Sequence, residues 1–537
     1  MNKYRLILFM SCLVSTTVFA GFSLVPAQAQ TAPDFASSIG INAQTTVQAI
    51  RADDFTGTFG VNTHLGWAGV SYNNFAVVQN AIAYLGVKHA REGMPYGGMM
   101  ASMATLHTQN GVTFDVVSSS RPLNLGGDLS TLMWMAANMP GVVDAYEGPN
   151  EFNTNDDSAP GILRGQNSRN NFAWGPAANT YYFNGLRSHS ALSGIRYVGV
   201  TTASAQAWQA ASMGDMSAHV DVSSWHTYYG NGERHPAANL ASGYANAHAT
   251  APSRPMWYTE TGCTSASNAG YTWCGYDNND AKLMLNVMAD AVHTGAQRAY
   301  FYELLNDHPG NPSSYDTEGG FGLLDGYGNP KAQAAAIHNL MTVMADGGAW
   351  FQPSSVSYSV SGLPGGAQSM ALQKSNGDSY LMFWNEGATA APVTVTLSVA
   401  HALSVYDPLI GTDPAAIAAT SDHISFAVPD HPVLLRIGAA ATPPPPPRPY
   451  TESANASVVL AGSTLALTDA LGNAWTITSG GAVGLNGHPV PGTSSVAELA
   501  YVGHVLWQEN TGRNWYGVTG MSGGSVTWNG PTTSPMP

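Results

Sequence analysis

The stretch Val143-Asp144-Ala145-Tyr146-Glu147-Gly148-Pro149-Asn150-Glu151-Phe152-Asn153 opens as a short strand-like run and breaks at a Gly-Pro pair. Gly-Pro ends regular structure, so Asn150 and Glu151 sit just beyond a strand end. A second stretch, Trp257-Tyr258-Thr259-Glu260-Thr261-Gly262, repeats the arrangement, an apolar and β-branched run closing on a carboxylate and a glycine. The kind of sheet that holds these strands decides whether the two carboxylates meet.

Working outward from them, strand-like runs recur at Gly57–Thr63, Val87–Glu92, Thr113–Ser118, Val143–Glu147, Tyr197–Thr202, Val222–His226, Met256–Glu260 and Ala299–Leu304. Helix-like runs lie between them, including Asn74–Leu85, Leu132–Met139, Asn179–His189 and Asp280–His293; in the last, Leu283, Val287 and Ala291 share a face. Alternating strands and helices predict a parallel α/β fold. Eight such units over residues 55–345 match the size of a (β/α)8 TIM barrel. An open doubly wound sheet is the alternative, and it lacks support because no Gly-rich phosphate loop follows the first strand. Strand C-terminal ends form the active-site face of a barrel, so Glu151 and Glu260 are predicted at one mouth.

The flanking segments read differently. Residues 1–29 have Lys3 and Arg5, an apolar run from Leu6 to Ala20, and small-residue cleavage patterns at Val18-Phe19-Ala20 and Ala27-Gln28-Ala29. That pattern predicts a secretory signal peptide. The run is too short to span a membrane, so no membrane span is expected. Export implies an extracellular or periplasmic location, where Cys263 and Cys274 are expected to form a disulfide. Zinc is the competing use of these cysteines, but two of them without a nearby His pair fall short of a structural four-ligand set.

Residues 30–54 are expected to join the region 346–440, whose alternating runs at Val356–Val360, Tyr380–Trp384, Val393–Leu397 and Ile424–Val428 predict an antiparallel β-sandwich. Asn376-Gly377 falls where a tight hairpin turn belongs. Residues 441–449 hold five consecutive prolines and read as a stiff linker. Residues 450–537 read as a small β-rich module, with strand-like pieces at Ala474–Thr478, Val505–Gln508 and Val526–Trp528. Its Trp475, Trp507, Trp515 and Trp528 make it a candidate glycan- or cell-surface-binding unit.

The formal charge is −15, with only 10% of residues charged. An acidic chain poor in lysine is a weak candidate for binding nucleic acid, whose phosphates call for a basic surface.

Two carboxylates facing one another across a cleft are what glycosidic cleavage needs, one to protonate the leaving oxygen and one to act as nucleophile or base. Asn150-Glu151 after the fourth strand and Glu260 after the seventh resemble the signature of the clan A glycoside hydrolases, a group of (β/α)8 retaining enzymes. The family within the clan is not resolved. The resemblance covers residues 55–345, and the appended sandwich also has parallels in the clan.

Carried over residue by residue, it implies that Glu151 is the general acid/base, Glu260 the nucleophile and Asn150 a donor to the sugar 2-hydroxyl. Arg91, in His89-Ala90-Arg91-Glu92, is similar to the clan's arginine that orients the nucleophile. His226 and Tyr228 are similar to its histidine and tyrosine. A structural ion pair of Arg91 with Glu92 or another barrel residue, and a packed, hydrogen-bonded core histidine at 226, are the plainer alternatives. Glu147 reads as a buried support residue paired with Arg91, Glu303 as a similar one, and Asp307 and His308 as further candidates at the mouth.

Trp67, Trp174, Trp225 and Trp273 fall in or near the predicted mouth, where they serve either as stacking platforms for sugar rings or as core. The reading is a retaining hydrolase of β-linked polysaccharide or oligosaccharide that needs no metal and no organic cofactor. The alternatives are a transglycosylase with the same site, or a non-catalytic carbohydrate-binding or envelope protein on this fold.

Overall fold

Parallel strands and their following helices make up the larger part of the computed structural model, and each turn of the pattern places a strand end on one face. The structure describes residues 44–438 and 451–536, apart from 68–69, 120–123, 155–167, 170, 204–205, 231–234, 269–272, 276–278, 310–315, 388–389 and 523–524. The expected signal peptide and proline-rich linker lie outside the described residues. The chain divides into two compact units, residues 1–440 and 441–537.

The first unit opens with β1 (Thr45–Gln48) and β2 (Ile50–Arg51). The barrel strands follow: β3 (Phe59–Asn62), β4 (His89–Gly93), β5 (Thr113–Val117), β6 (Val143–Glu147), β7 (Arg196–Val198), β8 (Ser223–Tyr228), β9 (Met256–Gly262) and β10 (Arg298–Phe301). Their order in the sheet is β7-β6-β5-β4-β3-β10-β9-β8. A parallel bridge between Val198 and Val222 joins the two ends, and the sheet closes on itself. All eight predicted strands are therefore present, in a (β/α)8 barrel.

A helix follows every barrel strand: Phe75–Leu85, Met99–Asn110, Leu125–Asn138, Trp174–Arg187, Ala207–Met213, Ala237–Thr250, Asn279–His293 and Ala332–Met344. Two of them begin a turn or more earlier than the sequence predicts, for local reasons. Leu125–Asn138 carries Gly126 and Gly127 in its first turn, which weakens the helix signal; the Asn124 side chain compensates by accepting from the Gly127 N–H (3.2 Å). Trp174–Arg187 carries Pro176 in its first turn, where the missing N–H costs nothing.

Behind the barrel lies a second sheet, formed by β1, β2 and β11 (Ser355–Ser361), β12 (Gln368–Gln373), β13 (Ser379–Trp384), β14 (Ala391–Tyr406), β15 (Pro414–Val428) and β16 (Val433–Ile437). All eight strands belong to one hydrogen-bonded sheet. The first half of β14 pairs with β11 and its second half with β16, so this long strand exchanges one neighbour for another along its length. Residues of the N-terminal segment complete it, with β1 antiparallel to β11 and β2 parallel to β12.

Strand alternation gives β13 two buried faces. Leu381 and Phe383 point into the interior of the β-layered region, while Tyr380, Met382 and Trp384 pack into the barrel's core. The Trp384 indole N–H donates to Asp290 on the helix after β9 (2.8 Å), which pins the layer to the barrel. Gly377 supplies a positive φ (90°) in the hairpin between β12 and β13.

The second unit consists of a five-stranded and a four-stranded antiparallel sheet. Its own core includes Leu467, Trp475, Ile477, Val483, Leu499 and Tyr501. Among the described residues, no helix is long and apolar enough to cross a membrane.

Candidate active site

At the C-terminal ends of the barrel strands, β4 delivers Arg91, the β6 end delivers Glu147, Asn150 and Glu151, β8 delivers His226 and Tyr228, and β9 delivers Glu260. Strand parity explains the selection: His226 and Tyr228, two residues apart, share the inward side of β8. The sequence-predicted carboxylates, arginine, histidine, tyrosine and asparagine thus come together.

Arg91 organises the floor. Its Nε and Nη2 donate to Glu147 Oε2 (2.6 Å) and Oε1 (3.0 Å). Nη1 donates to Glu260 Oε1 (2.7 Å) and Asn62 Oδ1 (2.9 Å), and Nη2 also reaches Asn150 Oδ1 (2.7 Å). One planar guanidinium therefore fixes two carboxylates and two amides, a task suited to its forked geometry. Glu92 is not its partner: that carboxylate accepts from Thr63 Oγ1 (2.8 Å), the Leu65 N–H (2.7 Å) and its neighbour's N–H (2.8 Å), tying down the loop after β3.

Glu260 is recessed, with 9% of its side chain exposed, whereas Glu151 shows 28%. Tyr228 donates its hydroxyl to Glu260 Oε2 (2.5 Å). Burial alone would raise the Glu260 pKa, but the His226 and Arg91 charges and the Tyr228 hydrogen bond outweigh it, leaving the carboxyl below its ordinary value. His226 Nδ1 lies 2.9 Å from Glu151 Oε1 and 3.4 Å from Glu260 Oε2. Burial works against a charged imidazole, yet Glu260 and Glu151 prevail and hold its pKa above the ordinary value.

A carboxylate oxygen of Glu151, one of Glu260 and a ring nitrogen of His226 all lie within 4.8 Å of one another. Glu151 itself adopts a left-handed backbone conformation (φ 43°), rare for a residue with a side chain. Thr201 holds that turn, its hydroxyl accepting from the Glu151 N–H (3.1 Å) and its carbonyl from the Phe152 N–H (3.2 Å).

Arg91, Asn150, Glu151, His226, Tyr228 and Glu260 line a cleft of about 1280 Å³. Trp67, 47% exposed, stands in its wall, stacked on the His64 ring at 3.8 Å between centroids. Trp225 does not reach the cleft: it occupies the outward side of β8, buried to 1% exposure, against Gly243 of the following helix. Trp174 is buried against Phe152. Trp273 is half-buried in the loop after β9, bridged to Thr264, and is not part of the cleft wall. A disulfide joins Cys263 to Cys274 across that loop.

Several cleft residues were not singled out from the sequence, among them His64, Gln206, Tyr302, Glu318 and Phe321. Tyr302 directly follows β10, so the strand-end rule that located Glu151 and Glu260 could have found it. Glu303 and Asp307, read as a support residue and a mouth candidate, are both buried near His64. His308 is exposed. Of the described residues, two groups have the composition of metal ligands, Glu151 with His226 and Glu260, and His64 with Glu303 and Asp307.

No family model matches the chain, and no curated protein matches its sequence. Among solved structures it is similar to a monomeric beta-xylosidase from Caulobacter crescentus, at 13% identity and a TM-score of 0.49, over 73% of this chain and 98% of that one. It is similar to a glucosidase from Croceicoccus marinus at 12% identity and 0.47, over 75% and 98%. CelM2, a bifunctional glucanase-xylanase from a metagenome library, gives 10% identity and 0.48, over 74% and 99%. Likeness of this degree concerns the course of the backbone and is silent on substrate.

Proposed function

We propose that the chain is a retaining glycosidase that cleaves β-linked polysaccharide or oligosaccharide by double displacement. The observation that carries this reading is that a carboxylate oxygen of Glu151 and one of Glu260 lie within 4.8 Å of each other at the barrel mouth, too close for an inverting water to sit between the carboxyls. Retaining enzymes keep their two carboxyls about 5–5.5 Å apart, whereas an inverting water needs about 6.5–9.5 Å.

Their surroundings favour different roles. Glu260, ionised by Arg91, His226 and Tyr228, is the nucleophile that attacks the anomeric carbon. Glu151, the more exposed carboxyl, gives its proton to the departing glycosidic oxygen. It then takes a proton from the water that attacks the glycosyl–Glu260 ester, which returns Glu260 as a carboxylate. Arg91 fixes the Asn150 amide through its oxygen, directing the amide nitrogen to the sugar 2-hydroxyl. Trp67 supplies an apolar face for a sugar ring, and the C-terminal unit is assigned to holding the enzyme on glycan or the cell surface.

The test is incubation with a panel of plant and microbial β-glycans, with products sized and their anomeric configuration followed by NMR. The expected product keeps the β-configuration, and Glu260→Gln lowers kcat on the order of 10⁴-fold or more. A 2-fluoro glycoside is expected to leave a covalent adduct on the peptide that holds Glu260. Inverted product, or turnover that survives Glu260→Gln, would sink the proposal. Glycan release only in the presence of an acceptor sugar would instead mark a transglycosylase.

A further inference from the structure

We propose that His64, Glu303 and Asp307 form a binding site for a divalent ion of the zinc type, beside the catalytic cleft and separate from Glu151 and Glu260. One nitrogen or oxygen from each of the three lies within 4.8 Å of the others. His64 Nε2 is 3.1 Å from Glu303 Oε2. Two ligands on one tetrahedral ion with bonds of about 2.0–2.2 Å stand roughly 3.3 Å apart, so this pair is already at ligand spacing.

The second observation is that these groups have unmet bonding capacity. Glu303 is fully buried and Asp307 is 4% exposed, yet Glu303 Oε1 and Asp307 Oδ1 have no hydrogen-bond partner. Buried polar atoms are nearly always satisfied. No lysine or arginine among the described residues forms an ion pair with either carboxylate. Lys331, the nearby cation, donates instead to Asn306 Oδ1 (2.7 Å) and the Gly320 carbonyl (3.0 Å). A divalent ion answers both deficits, offering empty coordination positions and neutralising two buried carboxylates at once.

The donor set selects the ion. Calcium and magnesium prefer all-oxygen shells, whereas an imidazole with two carboxylates suits zinc and its neighbours. The ligands are also held in place from behind, as good metal ligands are. Tyr72 donates its hydroxyl to Glu303 Oε2 (3.0 Å) and itself accepts from the Leu305 N–H (2.9 Å). Asp307 is anchored through its carbonyl, which accepts from the Ser71 N–H (2.7 Å) and hydroxyl (3.1 Å).

The ion takes no part in the sugar chemistry. It locks His64, and Trp67 lies on the His64 ring with only 21° between the planes. Loading the site therefore stiffens the aromatic wall of the cleft.

The test is a zinc titration of the full-length, chelator-treated protein by calorimetry, with melting temperature as a parallel readout. One ion per chain and a raised melting temperature are expected. Affinity should drop at least tenfold in His64→Gln and in Asp307→Asn, each checked for native circular dichroism. Glu151→Gln, which alters the other histidine–carboxylate cluster, should bind as the wild type does. Absence of zinc binding by the wild type overturns the proposal whatever the variants do. So does binding that Glu151→Gln abolishes, or binding that persists in both His64→Gln and Asp307→Asn.

Discussion

Glu147 and Arg91 are joined by two hydrogen bonds inside the barrel, and the same guanidinium reaches Glu260 at 2.7 Å. The orientation of Glu260 therefore depends on a residue that never touches the cleft. Removing one partner of such a buried pair costs about 3–5 kcal/mol, because the other charge is left uncompensated. Glu147→Gln is expected to lose stability on that scale in chemical denaturation and to lower kcat with little change in KM. Arg91→Lys should be worse for catalysis, since an ammonium cannot serve Glu147, Glu260, Asn62 and Asn150 together. A Glu147→Gln protein with wild-type kcat would show that the clamp has no part in aligning Glu260.

Tyr228 donates the hydrogen bond that sits on the second oxygen of Glu260. Hydrogen bonds to charged groups contribute about 1.5–3 kcal/mol, equivalent to roughly 10- to 100-fold in rate. Tyr228→Phe should lower kcat by that factor while leaving the fold intact, because only the hydroxyl is lost. Steady-state kinetics with a β-glycoside would check this, and an unchanged kcat would remove Tyr228 from the catalytic group.

The depressed Glu260 pKa has a consequence for stability. An unfolded glutamate titrates near 4.3, above the folded value, so the unfolded chain binds more protons in the interval between them. The Glu260 contribution is thus fully present above about pH 4.3 and is lost as pH falls through the folded value. Measured as melting temperature, wild type relative to Glu260→Gln should lose ground on acidification from about pH 5 to 3. A difference between the two proteins that stays constant across that window would contradict the assigned shift.

Parity and strand ends explain which parts of this site could be read in the sequence. The barrel was legible because buried strands and helices alternate eight times, and each strand ends in a recognisable break. The cluster of Arg91, Asn150, Glu151, His226, Tyr228 and Glu260 followed, since the fold puts every strand end on one face. Trp225 was a candidate for the mouth only when its position in the chain was considered. Placing His226 and Tyr228 inward puts residue 225 outward by the two-residue period, and there the structure buries it. His64 escaped notice: it belongs, with Trp67, to the loop after β3, whose course is set by Glu92 hydrogen bonds that no periodicity announces. The change of partner along β14 was likewise hidden, because a strand alternates in the same way whichever neighbour it pairs with.

The Cys263–Cys274 bridge spans 11 residues, just past the strand that carries Glu260. Closing a loop of that size stabilises a fold by about 3 kcal/mol through the unfolded chain's lost freedom. A Cys263→Ser and Cys274→Ser double variant should unfold at lower denaturant by up to that amount. Because Glu260 is held by Arg91 and Tyr228 on other strands, its kcat should change less than in Tyr228→Phe. Unaltered stability would mean that the loop is fixed by its other contacts, including the Cys274 N–H to Thr264 carbonyl bond (2.9 Å).

The C-terminal unit has its own core, in which Trp475 and Trp515 are buried at 1% and 5% exposure. Those two tryptophans are committed to packing. Trp507 and Trp528 are half-buried on the strands Val505–Asn510 and Ser525–Thr532, which flank Trp515–Ser522 in the five-stranded sheet. Trp528 packs against the core, edge-on to Trp475 (6.4 Å between centroids), which leaves Trp507 as the aromatic face for a glycan. Removal of residues 441–537 should leave turnover of a small soluble glycoside unchanged, because the barrel and its β-layered partner form a separate compact unit. Retention on insoluble polysaccharide in a pull-down should fall several-fold, and Trp507→Ala in the full chain should reproduce part of that loss. Equal retention with and without the unit would rule out glycan anchoring as its role.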